Sequence, residues 1–342
     1  MNVSMKGRGA IASLLLMSAV VTASGCSAEP QKTPGGKPLT TVTYRGPFVT
    51  NGGDAPYYYA QKLGYYAEEG LKVEIRDSKG SGQTVADVNS GGSDVGMAAA
   101  TNVILAAGQG QDVTSVATVV GKSSFGFFVP QDSSVKSIAN LKGKSIAVTA
   151  LVEPNMYAAL SAVGLSKRDV KPVIADANAL ITTYLSGKVD SMYSVRHFAP
   201  AVQRRPSKIL LQSDAGFNPP DYALLIKPST LRKQPDVVKG FVRATLRGFQ
   251  AAKEDPQAAV NALLAKHPEL DPQQSLETLK SVVQFMCAPT QQGHPYGENL
   301  TSDWTTAAKK LQRFAGLSGD AHGDRFFTNQ LFKENGLAVE TC

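Results

Sequence analysis

The chain has 342 residues, of which 42% are hydrophobic and 18% charged, and its formal net charge is +7. That length suits two domains or one large two-lobed unit, with a core that needs no disulfide or metal staple. Lysine and arginine are spread without a basic stripe, which argues against nucleic-acid binding, and the absence of long single-sign runs argues against extended disorder.

Lys6 and Arg8 precede an apolar run from Ile11 to Val21 that closes on Ala23-Ser24-Gly25-Cys26. A short apolar run behind positive charge and ahead of small residues is the pattern of an export signal, and it is too short to span a membrane. Its end resembles the bacterial lipobox, with Ala23 where leucine is usual. The resemblance implies a signal peptide over 1–25 and acylation of Cys26. The chain would then be anchored on the extracytoplasmic face of the cell membrane by several acyl chains, where one alone would not hold it. An ordinary signal with a free Cys26 is the alternative. Residues 26–38, rich in Pro, Gly, Lys and Ser, read as a flexible tether.

From Thr41, short apolar strands alternate with helical stretches. Strands are predicted at 42–44, 73–75, 95–97 and 113–120, and helices at 57–69 and 83–89, with Gly70 as a C-cap. A second series follows Pro130, with strands at 145–148, 170–174, 189–193 and 209–211 and helices at 155–163 and 177–185. The strand 222–226 then leads back. The last third reads as helical. One stripe holds Val238, Phe241, Val242, Thr245, Leu246 and Phe249, and another holds Trp304, Ala307, Ala308, Leu311 and Phe314. Asp255-Pro256 and Asp271-Pro272 pair an N-cap with an N1 proline. The fold class is α/β with parallel sheets. Cys287 and Cys342 either pair in the exported protein, pinning the last residue, or stay free thiols. No metal-ligand spacing links the cysteines and histidines, and no cofactor is expected.

Five loops between strands and helices carry the candidate ligand residues. In the first, Thr50, Asn51 and Asp54 lie ahead of Pro56, a helix N1 proline, and exposed N–H groups there suit polar ligand atoms. Tyr57, at that helix entrance, is placed to stack on a planar ligand. In the second, Ser81 and Thr84 either cap a helix or touch ligand. Gly80-Ser81-Gly82 lacks the Lys and Ser/Thr of a P-loop. The third loop, 98–102, offers Thr101 and Asn102. In the fourth, Glu153 and Asn155 follow a strand; Glu153 either accepts a ligand N–H or partners the helix dipole. In the fifth, Tyr193 and Arg196 follow another strand, and Arg196 either clamps an anion or is an exposed cation. No catalytic residue is assigned. The four histidines are far apart in sequence, and neither a Ser–His–Asp signature nor His-Glu-x-x-His occurs.

Several segments carry a family resemblance. Ala60-Gln61-Lys62-Leu63-Gly64-Tyr65-Tyr66-Ala67-Glu68-Glu69-Gly70-Leu71-Lys72-Val73 is similar to A-x-x-x-G-[FY]-[FY]-x-x-E-G-L-x-V. Ser90 to Gly96 is similar to S-G-x-x-D-[VI]-G. Leu141 to Val148 is similar to D-L-K-G-K-x-[IV]-x-V, with Asn140 in place of the Asp, and Gly187-Lys188-Val189-Asp190 to G-x-[VA]-D. Together they resemble the NMT1/THI5-like family of periplasmic-type binding proteins, which includes binders of sulfonates, nitrate, thiamine pyrimidine precursors and flavins. The resemblance implies a two-lobed, type II periplasmic-binding-protein-like fold with ligand in the inter-lobe cleft. Lobe 1 would span 39–128 and 223–342, lobe 2 would span 129–222, and the hinge would cross near Phe128-Val129-Pro130 and Asn218 to Tyr222. It implies a monomeric solute-binding lipoprotein that captures a small organic molecule, either a sulfonate or carboxylate anion or a pyrimidine- or flavin-like heteroaromatic. Closure of the lobes would deliver that molecule to an ABC permease and its ATPase, with no nucleic acid involved. The alternatives are a pyrimidine-synthase-like enzyme of the same fold family and a ligand-sensing lipoprotein.

Overall fold

The computed structural model describes Met1, residues 38–333, Leu337 and residues 339–342. The export signal, Cys26 and nearly all of the tether lie outside the described residues. The first sheet holds β1 (Thr40–Arg45), β2 (Leu71–Arg76), β3 (Val95–Ala99) and β4 (Thr114–Val120). The second holds β5 (Phe125–Pro130), β6 (Ser145–Val148), β7 (Lys171–Ile174), β8 (Ser191–Val195) and β9 (Ser207–Leu211), and β10 (Tyr222–Ile226) returns to the first. The strand orders are β2-β1-β3-β10-β4 and β7-β6-β8-β5-β9. In each sheet the first three strands are parallel, and the fourth, β10 or β5, runs antiparallel to both its neighbours. The fold is two-lobed α/β.

The helices are α1 (Ala55–Lys62), α2 (Tyr65–Glu68), α3 (Ser81–Ser90), α4 (Ala100–Gly108), α5 (Glu153–Ala162), α6 (Ala177–Leu185), α7 (Pro228–Lys233), α8 (Pro235–Glu254), α9 (Pro256–Leu264), α10 (Pro272–Val283), α11 (Thr301–Phe314) and α12 (Gln330–Lys333). The helix predicted over 57–69 is two helices, because Gly64 adopts φ +80° between them, a conformation that favours glycine.

Successive strand residues point to opposite faces, and both faces of each sheet are covered. In the first lobe Val95, Met97, Leu224 and Ile226 join Phe241, Leu246 and Phe249 of α8 in one core. Ala98, Ala223 and Leu225 join Trp304 and Leu311 of α11 in the other. In the second lobe Phe127, Val129, Ile146 and Val148 face one core, and Phe128 and Ala147 the opposite one.

The motif aspartates do the same work in both lobes. Asp94, just before β3, accepts hydrogen bonds from Thr43 N (2.8 Å) and Oγ1 (2.8 Å) of β1. Asp190, just before β8, accepts them from Ser145 N (2.8 Å) and Oγ (2.7 Å) of β6. Each carboxylate pins one parallel strand to the next, so these residues are scaffold.

The chain crosses between the sheets through Gly121–Ser124 and returns through Asn218–Asp221. The first crossing therefore precedes β5 and does not fall at Phe128-Val129-Pro130. All of β5 is bonded into the second sheet between β8 and β9. The two crossings are bonded to each other. Ser123 N donates to Asn218 Oδ1 (2.8 Å), Ser124 N to Asp221 Oδ2 (2.9 Å) and Asp221 N to Val120 O (2.9 Å). A disulfide joins Cys287 to Cys342, with Cα atoms 5.7 Å apart. Among the described residues no helix is long and apolar enough to cross a membrane.

Candidate functional site

The strand ends that the sequence singles out surround the two crossings, but several of the predicted residues serve the scaffold. Tyr57 does not stand free to stack on a ligand. It is fully buried, its ring stacks on Tyr44 at 4.3 Å between centroids, and its hydroxyl donates to Met97 Sδ at 3.0 Å. The first residues of α1 turn into the core against α8, and Tyr57 meets Phe249 edge-on. Thr84 is also fully buried, and its hydroxyl donates to the Gly46 carbonyl (2.7 Å), holding α3 to the end of β1. Ser81 Oγ accepts from Ala99 N (3.0 Å), tying the second loop to the end of β3. The third loop is no loop: β3 runs directly into α4, which places Thr101 and Asn102 in that helix's first turn, Thr101 buried and Asn102 half-buried.

The first loop folds on itself. The Asn51 side chain accepts from Gly53 N, and Asp54 Oδ2 accepts from Asn51 N at 3.0 Å, a reciprocal cap. Thr50 donates to Asp77 from both its backbone and its hydroxyl. Asp54 is 4% exposed, and burial pushes its carboxyl up to about 7. The Asn51 N–H opposes that rise and the nearby Asp77 carboxylate adds to it. Its folded-state value exceeds its unfolded one, so the folded chain holds the proton more tightly. Stability from this group is therefore present below about pH 4 and falls as pH rises toward 7. Asp54→Asn keeps an acceptor for Asn51 N–H. It is expected to raise stability at pH 8 by on the order of 1–2 kcal/mol and leave it unchanged at pH 4. Thermal melts at both pH values check this; equal shifts at both would contradict it.

In the second lobe Tyr157 OH donates to Glu153 one turn away on α5, so that carboxylate is engaged within its own helix. Arg196 is not an exposed cation. It is half-buried, its guanidinium carbon lies 5.5 Å from the Phe285 ring centroid, and its backbone N–H donates to Ser124 O (2.8 Å). A groove of about 400 Å³ separates Arg196, Ala199 and Gln203 from Glu277, Lys280 and Gln284 at the end of α10. A larger cavity of about 710 Å³ lies between α1, β2 and α9, and none of the predicted site residues lines it. Asn155 and Tyr193 are both buried and bonded to each other, Asn155 Nδ2 donating to Tyr193 OH at 2.8 Å.

That last bond belongs to a larger arrangement at the seam. Tyr193 OH donates to Gln212 Oε1 (2.5 Å), and Gln212 Nε2 donates to Ser123 Oγ (2.8 Å) in the first crossing. Three buried polar atoms beside this chain have no protein hydrogen-bond partner: Ser124 Oγ, Asn155 Oδ1 and Asp221 Oδ1. An unpaired buried polar group costs free energy, and such groups are concentrated where function requires them. Burial raises the Asp221 carboxyl to about 6, and the nearby Ser124 hydroxyl and backbone N–H oppose that rise. Burial, then the Asp221 and Asp54 carboxylates, push the Tyr222 phenol well above its ordinary value. Loops of the two lobes also meet directly. A Cβ built on Gly80 would lie 3.8 Å from Leu151 Cδ2, and one on Gly82 3.7 Å from Leu151 Cδ1.

Comparison with known proteins matches residues 51–259 to the family described as NMT1/THI5 like, more than half of the chain. The chain belongs to the NMT1/THI5-like family. Among relatives in the family, it is 25% identical over 338 residues to a riboflavin-binding protein, RibY, of Chloroflexus aurantiacus, covering 92% of this chain and 95% of that one. It is 26% identical over 230 residues to a 4-amino-5-hydroxymethyl-2-methylpyrimidine phosphate synthase of Legionella pneumophila, covering 65% and 72%. Its fold resembles that of the alkanesulfonate-binding protein SsuA from Xanthomonas axonopodis pv. citri bound to MOPS. The TM-score is 0.65 with 17% identity, covering 84% of this chain and 98% of that one. The family thus contains both binders and enzymes.

Ser123, Ser124, Gln212 and Asp221 are absent from the residues the sequence singles out. Their signal is there in part: Ser123-Ser124 and Asp221 each sit flush against an apolar strand at the two places where the chain changes sheets.

Proposed function

We propose that this chain is an exported solute-binding protein that captures a small organic molecule between its lobes and delivers it to an ABC-type importer. The observation that carries the reading is the seam itself. Two lobes of like strand order are joined by crossings bonded to each other, and buried polar atoms without protein partners are gathered there. A ligand that touches both lobes stabilises the closed arrangement, whereas one-lobe contacts shift nothing. The lobe boundaries then fall at 121–124 and 218–221. The ligand residues are Asn155, Tyr193, Ser124 and Asp221. Arg196, whose backbone N–H donates to Ser124 O, supports the first crossing.

The permease and ATPase are the partners proposed for delivery, and the molecule is returned unchanged. The synthase among the relatives keeps a second reading open, in which the same seam holds a substrate for turnover. A thermal-shift panel of riboflavin, 4-aminopyrimidine, MOPS and benzoate tests the binding reading, since a ligand bound only by the folded state raises its melting temperature. No shift with any of them at millimolar concentration would count against it.

Lipid anchoring is supported by Lys6, Arg8, the apolar run and the small residues before Cys26. Cys26→Ser is expected to move the protein from the detergent phase to the aqueous phase on partitioning. Wild type found wholly in the aqueous phase would overturn the anchor.

A further inference from the structure

The cavity of about 710 Å³ between α1, β2 and α9 has a charge pattern of its own. Lys62 of α1, Lys72 of β2 and Lys266, just past α9, line it, and no acidic side chain does. The carboxylates nearest to them in sequence are held elsewhere. Glu68 pairs with Arg247 (2.7 Å), Glu69 with Arg243 (3.0 Å), Glu74 with Arg76 (3.7 Å) and Glu269 with His267 (3.0 Å). Among the described residues none of the three lysines has an ion-pair partner. Three exposed positive charges therefore share one cavity without compensation. Much of its remaining wall is apolar, with Tyr66, Leu71 and Val73 buried.

The surroundings narrow what can sit there. β2 is an edge strand, but Gln61 Nε2 already takes the Val73 carbonyl at 2.7 Å, which disfavours the addition of a further strand. Leu39 also lines the cavity. The stretch from Cys26 to Leu39 carries one acid, Glu29, against two bases, Lys32 and Lys37, so it does not neutralise the lysines. Fully extended, that stretch spans at most about 45 Å, which keeps the cavity close to any bilayer that holds Cys26. Resting on the lipid-anchor reading, we propose that this cavity takes the headgroup phosphate of an anionic phospholipid, so that the face made by α1, β2 and α9 is the one turned to the membrane. Each lysine near an anionic surface adds attraction, and a basic patch reinforces an acyl anchor. Tethering makes even a weak contact effective, because the second binding event is intramolecular.

Full-length protein in vesicles of phosphatidylcholine, with or without phosphatidylglycerol, tests this. Flotation with the neutral vesicles reports the anchor alone. An amine-reactive label read by mass spectrometry then reports each lysine, with the exposed Lys171 and Lys188 of the second lobe as references. Labelling of Lys62, Lys72 and Lys266 is expected to fall several-fold on the anionic vesicles and not on the neutral ones, and to recover at high salt. In detergent, inorganic phosphate and glycerol phosphate are expected to give no such protection. The variant K62Q/K72Q/K266Q is expected to melt like wild type. It is also expected to lose the slowing of backbone hydrogen exchange in α1 and α9 that anionic vesicles cause in the wild type. Equal labelling on both vesicles would overturn the inference and leave the anchor standing. Protection by the soluble phosphates as strong as that by vesicles would overturn the membrane seat in favour of a soluble anion. A wild type that floats with neither vesicle would overturn the anchor and the inference together.

Discussion

Replacing Phe285 by alanine is expected to lower the stability of the folded chain by about 3–5 kcal/mol, the usual cost of emptying a buried phenylalanine site. Phe285 is 3% exposed and packs in the first-lobe core. Its backbone and that of Met286 also hold the hinge: Lys122 N donates to Phe285 O (3.0 Å) and Gly121 N to Met286 O (2.8 Å). Two cations lie over the ring, Lys122 Nζ at 5.3 Å and Arg196 at 5.5 Å, one from the crossing and one from the second lobe. Phe285→Leu keeps most of the volume and removes the ring, so it should cost only about 1–2 kcal/mol, mainly the two cation–ring contacts. Urea titrations of both variants measure this. An alanine variant within 1 kcal/mol of wild type, or a leucine variant as poor as alanine, would contradict the packing described.

The second large effect is expected at Gly52. A Cβ there would lie 2.1 Å from Ser275 O and 2.7 Å from Ser275 C and Cα, all backbone atoms of α10. No rotamer change relieves a clash with backbone, so α10 must move bodily. That helix is fixed at its start by the Asp271 cap, whose carboxylate accepts from Gln274 N at 2.7 Å. Overpacking of this kind costs about 1–3 kcal/mol, so Gly52→Ala should lie within that range and Gly52→Val at or above its upper end. α10 also borders the groove facing Arg196 and Gln203, so the substitution should disturb the contact between lobes as well. Melting of Gly52→Ala within about one degree of wild type would show that the close approach is not real.

How much of this was legible in the sequence depended on whether a feature was local. The strands could be read from short continuous apolar runs because each buries both faces, as at Val95 to Ala99 and Tyr222 to Ile226. The break at Gly64 was obscured because tyrosines on both sides continue a helical pattern. The start of α4 was placed too late because that helix has neither a capping side chain nor a turn before it: Ala99 is the last strand residue and Ala100 the first helical one. Tyr57 was misread because a helix entrance is exposed in isolation, and only the approach of α8 and β1 buries it. The crossing was placed too late because Phe128-Val129-Pro130 looks the same in a connector as in a central strand; pairing with β8 and β9 decides the matter. The seam was largely hidden for the same reason. The partners of Ser124, Gln212 and Asp221 are up to 97 residues away in sequence, and an unpaired acceptor exists only once every other bond is assigned.

Native mass spectrometry of the protein incubated with the same four small molecules tests the central claim most directly. The account predicts one adduct of one molecule per chain, released on denaturation with its mass unchanged and lost on removal of the Asp221 and Asn155 side chains. Conversion of the small molecule into a product of different mass would contradict it, as would the absence of an adduct with every member of the panel.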